Sequence, residues 1–223
     1  MEEQLLLAIN GLRLRKGYPD TWKWKECEDE MFLVKSAYKA LQIYDEDEVY
    51  EEFTMLWSTR VTPKAKILGW RVFLEKLPTK DKLLAKGVQL QHNLYDLCGT
   101  YEETVVHLFF SCRVAQMVWN MCDRWLGVCN MHHIKPRANF KHFHLANLNS
   151  RQNLAWRGMW FATIGEIWNH RNGVIFKQRK VDPIETFSHA QMVAWVWMKH
   201  KIPTTTFSYS DWILSPFTCL KSM

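Results

Sequence analysis

No stretch of this 223-residue chain approaches the ~18 uninterrupted apolar residues that a membrane-spanning helix requires. The opening, Met-Glu-Glu-Gln-Leu-Leu-Leu-Ala-Ile-Asn, lacks the basic first region and small-residue cleavage site of a secretory signal. The expectation is a soluble intracellular protein of the nucleus or cytoplasm, with no membrane partner. Nine Gly and seven Pro are too few for a low-complexity chain, and the large apolar fraction excludes intrinsic disorder. Catalytic signatures are missing as well: there is no Gly-rich phosphate loop, and no Gly-x-Ser-x-Gly turn marks a hydrolase nucleophile. No small-molecule substrate is evident.

What is present is aromatic mass and an uneven charge. Hydrophobic residues make up 48% of the chain, aromatics 14%, and Trp occurs 12 times, enough for one core or two small ones. The net charge of +6 conceals a division. Residues 1–56 hold 7 basic and 13 acidic side chains, whereas residues 57–223 hold 22 basic and 10 acidic. Within 60–86, Arg60, Lys64, Lys66, Arg71, Lys76, Lys80, Lys82 and Lys86 face only Glu75 and Asp81. A field of that sign attracts polyanions, so RNA or DNA is the first partner to consider; a solvated helical surface is the competing reading.

Periodicity predicts a mainly α, multi-helix domain with a small N-terminal β-hairpin and a zinc-knuckle-like loop. Trp22-Lys-Trp24 and Met31-Phe-Leu-Val34 flank an acidic turn and alternate as a hairpin would. Helices follow from Ser36, through Leu56-Trp57, and from Pro63 to about Lys76, where a proline at the first position forfeits no hydrogen bond. Thr79 caps a short helix ending at Gly87, and two more run from Thr104 to about Phe110 and from Cys112 to Leu126, the last stopped by Gly127. Ser150 caps the longest helix, and Asp182-Pro183 opens the last. This reading divides the chain into a domain at 18–128, a linker at 129–149, a helical hairpin at 150–202 and an extended tail at 203–223. His132, His133, His142 and His144 fall in the linker and read as a solvent-facing loop, a metal clasp being the alternative. The Trp156, Trp160, Trp168 stripe reads as core before it reads as a base-stacking platform.

One constellation carries metal chemistry: Cys98-x8-His107-x4-Cys112, with Gly99 after the first thiol. Thiolate and imidazole are the ligands zinc prefers, although a structural site is normally closed by four. The six cysteines are otherwise irregularly spaced and read as buried thiols. Around the cluster stand Glu103-Thr104, Leu108-Phe109 and Trp119. Upstream are Phe32-Leu-Val-Lys-Ser-Ala-Tyr38, Trp57, Pro63-Lys64, Trp70-Arg71 and Leu77-Pro78-Thr79-Lys80; downstream is Ile167-Trp168-x2-Arg171-Asn172.

In this order these residues resemble the zinc-binding domain found downstream of the polymerase in plant non-LTR (LINE) retrotransposon reverse transcriptases, over roughly residues 18–180. The resemblance implies zinc on Cys98, His107 and Cys112. That family's first cysteine falls three residues before Cys98, where this chain has Tyr95, and a phenol is a poor zinc ligand beside a thiolate at neutral pH. Two readings stay open: zinc held with a substitute fourth ligand such as His92, or a lapsed site in which Cys98 and Cys112 are packed thiols.

The polymerase of that family needs an aromatic-x-Asp-Asp turn, and the nearest string here, Tyr44-Asp45-Glu46-Asp47, lies in an acidic run between helical patterns. The ribonuclease H module that often follows also finds no counterpart, since after Asp123 the only acids are Glu166, Asp182, Glu185 and Asp211. The expectation is a Met-initiated reading frame built from the connecting region without either catalytic module, hence no enzyme. It would be a non-catalytic, retroelement-derived module binding nucleic acid through Arg60, Lys64, Lys66, Arg71, Lys80, Lys82 and Arg171. The alternative is a domesticated protein-interaction module acting in host regulation or defence.

Overall fold

The computed structural model describes residues 17, 23–24, 31–37, 51–128, 133–203 and 205–223. The chain divides into two compact units, Met1–Val49 and Tyr50–Met223. In the first, Val34 to Ala37 form one helical turn, with the Ser36 hydroxyl donating to the Leu33 carbonyl at 2.8 Å, and Trp24 meets Phe32 edge to face at 5.0 Å. The hairpin expected over Trp22–Val34 is not supported. No strand occurs among the described residues: Trp24 and Met31 to Leu33 are unpaired, and Val34 begins helix instead of ending a strand. Residues 25–30, its expected turn, lie outside the described residues.

The second unit is helical: α1 (Glu51–Ser58), α2 (Pro63–Phe73), α3 (Lys80–Ala85), a π-turn (His107–Ser111), α4 (Arg113–Leu126), α5 (Pro136–His142), α6 (Ser150–Lys177), α7 (Pro183–Lys201), α8 (Tyr209–Leu214) and α9 (Pro216–Lys221). The caps explain most of these bounds. Thr62 caps α2 through the Ala65 amide with Pro63 at the first position, the Asp182 carboxylate accepts from the Ile184 and Glu185 amides to start α7, and Gly127 ends α4 in the left-handed region at φ 66°. Asn149, not Ser150, caps α6, in a reciprocal box with Gln152.

Helix α6 is the central post, of 28 residues. Trp156, Met159, Trp160, Phe161, Ile164 and Ile167 are all buried, so it is covered on several sides, as a helix apolar around its circumference must be. α7 runs along it, and α2 crosses so closely that a Cβ on Gly69 would stand 2.6 Å from the Phe161 ring. The indoles supply much of the core's mass, and three of the four most deeply buried ones place their N–H on an acceptor: Trp119 donates to the Phe109 carbonyl at 2.8 Å, Trp160 to Asn139 Oδ1 at 2.8 Å and Trp212 to the Gln191 carbonyl at 3.0 Å, whereas the Trp156 N–H finds none among the described residues.

Two further expectations need correcting. The segment 129–149 is not merely a linker: within its described part, Pro136 opens α5, and Phe140, Phe143, Leu145 and Leu148 are buried, with Phe143 stacked on Trp156 at 4.9 Å. Asn153 of α6 holds the loop by accepting from the Leu145 amide and donating to the Leu145 and Leu148 carbonyls. Nor is 203–223 extended, since α8 and α9 fold back, with Trp212 fully buried edge to face against Trp125 at 4.7 Å. Thr- and Ser-rich composition obscured a Ser208–Asp211 capping box that starts α8. Among the described residues no helix is long and apolar enough to cross a membrane.

Candidate metal centre

A loop and a π-turn build the site. Residues 94–102 fold back on themselves: the Tyr95 amide donates to the Tyr101 carbonyl at 2.8 Å, and Gly99 turns the chain at φ 64°. This turn carries Cys98. After Thr104, whose hydroxyl accepts the His107 amide at 3.0 Å, the helix widens into a single π-turn in which the Cys112 amide donates to the His107 carbonyl at 2.9 Å. That i→i+5 bond brings residues five apart onto one face, which an ordinary α-turn would not do.

Cys98, His107 and Cys112 thereby gather with their ligand atoms all within 4.8 Å of one another. Cys98 Sγ lies 3.2 Å from His107 Nε2, while Nδ1 on the far side of the ring faces Ser111 Oγ at 3.2 Å. The imidazole is thus oriented by a hydroxyl and presents its other nitrogen to the thiols, as a metal-ligating histidine does. Burial lowers the His107 pKa, favouring the neutral ring a metal needs. Burial pushes the Cys112 thiol up to about 11. Burial would also raise Cys98, but the Thr100 and Tyr101 amides and the Cys112 thiol outweigh it and hold Cys98 below its ordinary value. Two sulfurs and one imidazole nitrogen fit a soft divalent cation such as zinc, one ligand short of a closed site.

His92 does not complete the set. It is 49% exposed on its side chain, with Nδ1 3.4 Å from Lys80 Nζ and Nε2 3.6 Å from Asp96. Tyr95 turns inward: its ring meets His107 edge to face at 5.7 Å, and its buried hydroxyl has no hydrogen-bond partner among the described residues. Burial, then the neighbouring Cys112 and Glu103, raise its pKa well above the usual phenol value, so it stays neutral.

The expected nucleic-acid contacts separate into two kinds. Lys80 is buried, its ammonium 2.7 Å from Asp96 Oδ2 and donating to the Leu94 carbonyl at 2.9 Å. Arg171 is 4% exposed and bound by two nitrogens to Glu103, itself fully buried, while its guanidinium lies 5.1 Å over the Trp168 ring. Both cations are thus held by carboxylates of the chain itself. Lys66 is half-buried with Nζ on the Trp57 carbonyl, and Lys82 stands 3.6 Å from Asp81. Arg60, Lys64 and Arg71 remain exposed. His133 and His142 lie ring to ring at 4.3 Å, but among the described residues the one His/Cys/Asp/Glu group with metal-holding geometry is Cys98, His107 and Cys112. The sequence reading missed Glu103 as a partner of Arg171 and Ser111 as a partner of His107; the Glu103-Thr104 and Arg171-Asn172 pairs were the signal for the first.

A helical domain carrying a Cys/His cluster on a loop and π-turn is the class these features define. A family comparison agrees with it: residues 32–119, less than half of the chain, match the family described as zinc-binding in reverse transcriptase. Over 121 residues, 52% of the chain, the sequence is 27% identical to an Arabidopsis thaliana protein named "Putative ribonuclease H protein", and the match covers 19% of that protein's length. No solved structure matches the chain.

Proposed function

We propose that this chain is a non-catalytic, retroelement-derived module that binds RNA or DNA, with zinc on Cys98, His107 and Cys112 bracing the loop beside α3. The observation that carries the reading is the face of α2: Lys64 and Arg71, seven residues apart and so on one side of the helix, are exposed, and among the described residues neither forms an ion pair. Arg60 extends the same charge at the turn before the helix. Surface cations without an ion-pair partner among the described residues, inside a reverse-transcriptase zinc-binding match, are suited to phosphate contacts, which dominate affinity and screen with salt. The metal's part is structural. Bound to the three donors, it would tie residues 95–101 to the π-turn, holding the loop from which Glu103 reaches into the core.

The test is filter binding of single- and double-stranded oligonucleotides at two ionic strengths. Binding at ~50 mM salt that weakens steeply by ~200 mM is expected; no measurable binding at the lower salt overturns the reading.

A further inference from the structure

Four glycines lie inside helices of the second unit, where each costs about 1 kcal/mol relative to alanine. Two have a packing reason: a Cβ would stand 2.6 Å from Phe161 at Gly69 and 2.8 Å from Arg179 at Gly173, whereas at Gly158 it would make ordinary contact with Val61 at 3.6 Å. At Gly165, midway along α6, a Cβ would meet nothing within 4 Å. The space above it is a groove of about 450 Å³ between α2 on one side and α6 and α7 on the other.

Its walls are aromatic and aliphatic: Phe161 and the half-buried Trp168 come from α6, Trp197 from α7, and Ile67, half exposed, from α2. The α2 rim is cationic, because Lys64 and Arg71 flank Ile67 one turn to either side. Next to Gly165 in the lining, Glu166 Oε1 accepts from Asn169 Nδ2 at 3.1 Å, and Glu166 Oε2 lies 3.9 Å from His189 Nδ1. The groove thus has an apolar, ring-lined body, positive charge along the α2 edge and a hydrogen-bond acceptor on the α6 side.

We propose that this groove takes one unstacked base of a single-stranded nucleic acid, with the flanking phosphates on Lys64 and Arg71 and an exocyclic amine of the base directed to Glu166. The proposal rests on the nucleic-acid reading above and adds to it where the base goes. Charge complementarity selects the occupant. A wholly apolar ligand would leave the two cations unused, and the carboxylate on the α6 side repels phosphate, so the strand's backbone belongs on the α2 side. The volume suits a nucleotide and falls in the range of ordinary small-ligand clefts. Base–aromatic stacking tolerates sequence variation and adds to each phosphate contact. The absence of a side chain at Gly165 leaves room for the ring.

The probe is a labelled eight-residue oligoadenylate, ribo and deoxy, followed by fluorescence anisotropy at low salt, alongside the same strands with abasic sugars. Intact strands should bind at least about tenfold more tightly than abasic ones, which keep every phosphate. Ultraviolet crosslinks to the intact strand should map to α2, α6 or α7 around the groove. Gly165→Leu, a substitution favourable to helix that fills the groove, should remove this advantage while thermal unfolding shows the fold retained. If the wild type binds intact and abasic strands equally, or Gly165→Leu leaves the advantage and the crosslinks unchanged, the groove is not the base site although the protein still binds nucleic acid. If the wild type binds neither strand, as it would were the groove filled by a protein partner, both readings fall.

Discussion

Glu103 and Arg171, 68 residues apart in sequence, meet in a two-pronged ion pair inside the core: Nε donates to Oε2 at 3.1 Å and a terminal nitrogen donates to Oε1. Oε1 also accepts the Lys80 amide at 3.1 Å, so one buried carboxylate joins the start of α3, the metal-site loop and the end of α6. Removing either partner strands a charge away from water. Arg171→Met and Glu103→Gln should each destabilise by about 3–5 kcal/mol, and the double variant by less than the sum. Urea unfolding of the two singles and the double checks this; additive losses would show that the pair is not coupled.

Zinc should bind one per chain and raise the unfolding temperature, by about 2.7 kcal/mol of stability at a hundred times its dissociation constant. Cys98→Ser, His107→Ala and Cys112→Ser should each abolish the gain. Tyr95→Cys supplies a third thiolate as the fourth ligand and should tighten binding, while costing the metal-free protein about 3 kcal/mol for the lost ring, because Tyr95 is wholly buried. Cobalt substitution, whose visible spectrum counts thiolates, provides the readout. A wild type that retains no zinc would identify the cluster as packed thiols.

Stability should fall as solutions become acidic. His170 is buried, its Nε2 accepts the Asp182 amide at 3.0 Å, and burial lowers its pKa below 6.5 despite the opposing Glu185 and Asp182 charges. A histidine with a depressed folded pKa contributes fully while both states are neutral, above the unfolded value. The contribution is lost as pH drops through 6.5 toward the folded pKa, because the unfolded chain takes up the proton first. His107 has the same sign. His170→Gln, which keeps an acceptor for the Asp182 amide, should flatten the unfolding temperature between about pH 7 and about pH 5.5. An unchanged slope would exclude His170 as a source.

The salt dependence of binding should separate surface cations from buried ones. Replacing both Lys64 and Arg71 by Ala should reduce the slope of log affinity against log salt by about 1.4 on single strands, at about 0.7 per phosphate contact. Lys80→Ala and Arg171→Ala should instead lower stability and leave the slope of the folded fraction unchanged.

Much of this fold could be read from residue pattern, because helix boundaries are local chemistry. Pro63, Gly127 and the Asp182-Pro183 pair stop and start helices with groups inside one turn, and the structure follows them. The Cys98, His107 and Cys112 grouping was legible for the same reason, since its ligand types are distinctive. The π-turn that makes the five-residue spacing work was not, because no side chain announces the extra residue in the turn. Burial of Lys80 and Arg171 was equally hidden. A lysine in a basic run looks like surface until its partner Asp96 is placed, and Arg171 needed Glu103 from a distant segment. The apolar residues of 129–149 were outweighed by neighbouring His and Asn, although Phe140, Phe143 and Leu145 pack into the core.

The match to reverse-transcriptase zinc-binding domains stops at Trp119, halfway along α4. Physical closure comes later: the Trp119 ring packs edge to face on Phe143 at 5.7 Å, and Trp125 donates to the Ile213 carbonyl at 2.8 Å. The unit that carries family likeness and the unit that can fold are therefore different lengths of chain. A fragment trimmed to the likeness would expose half of the α4 face and leave Glu103 without Arg171.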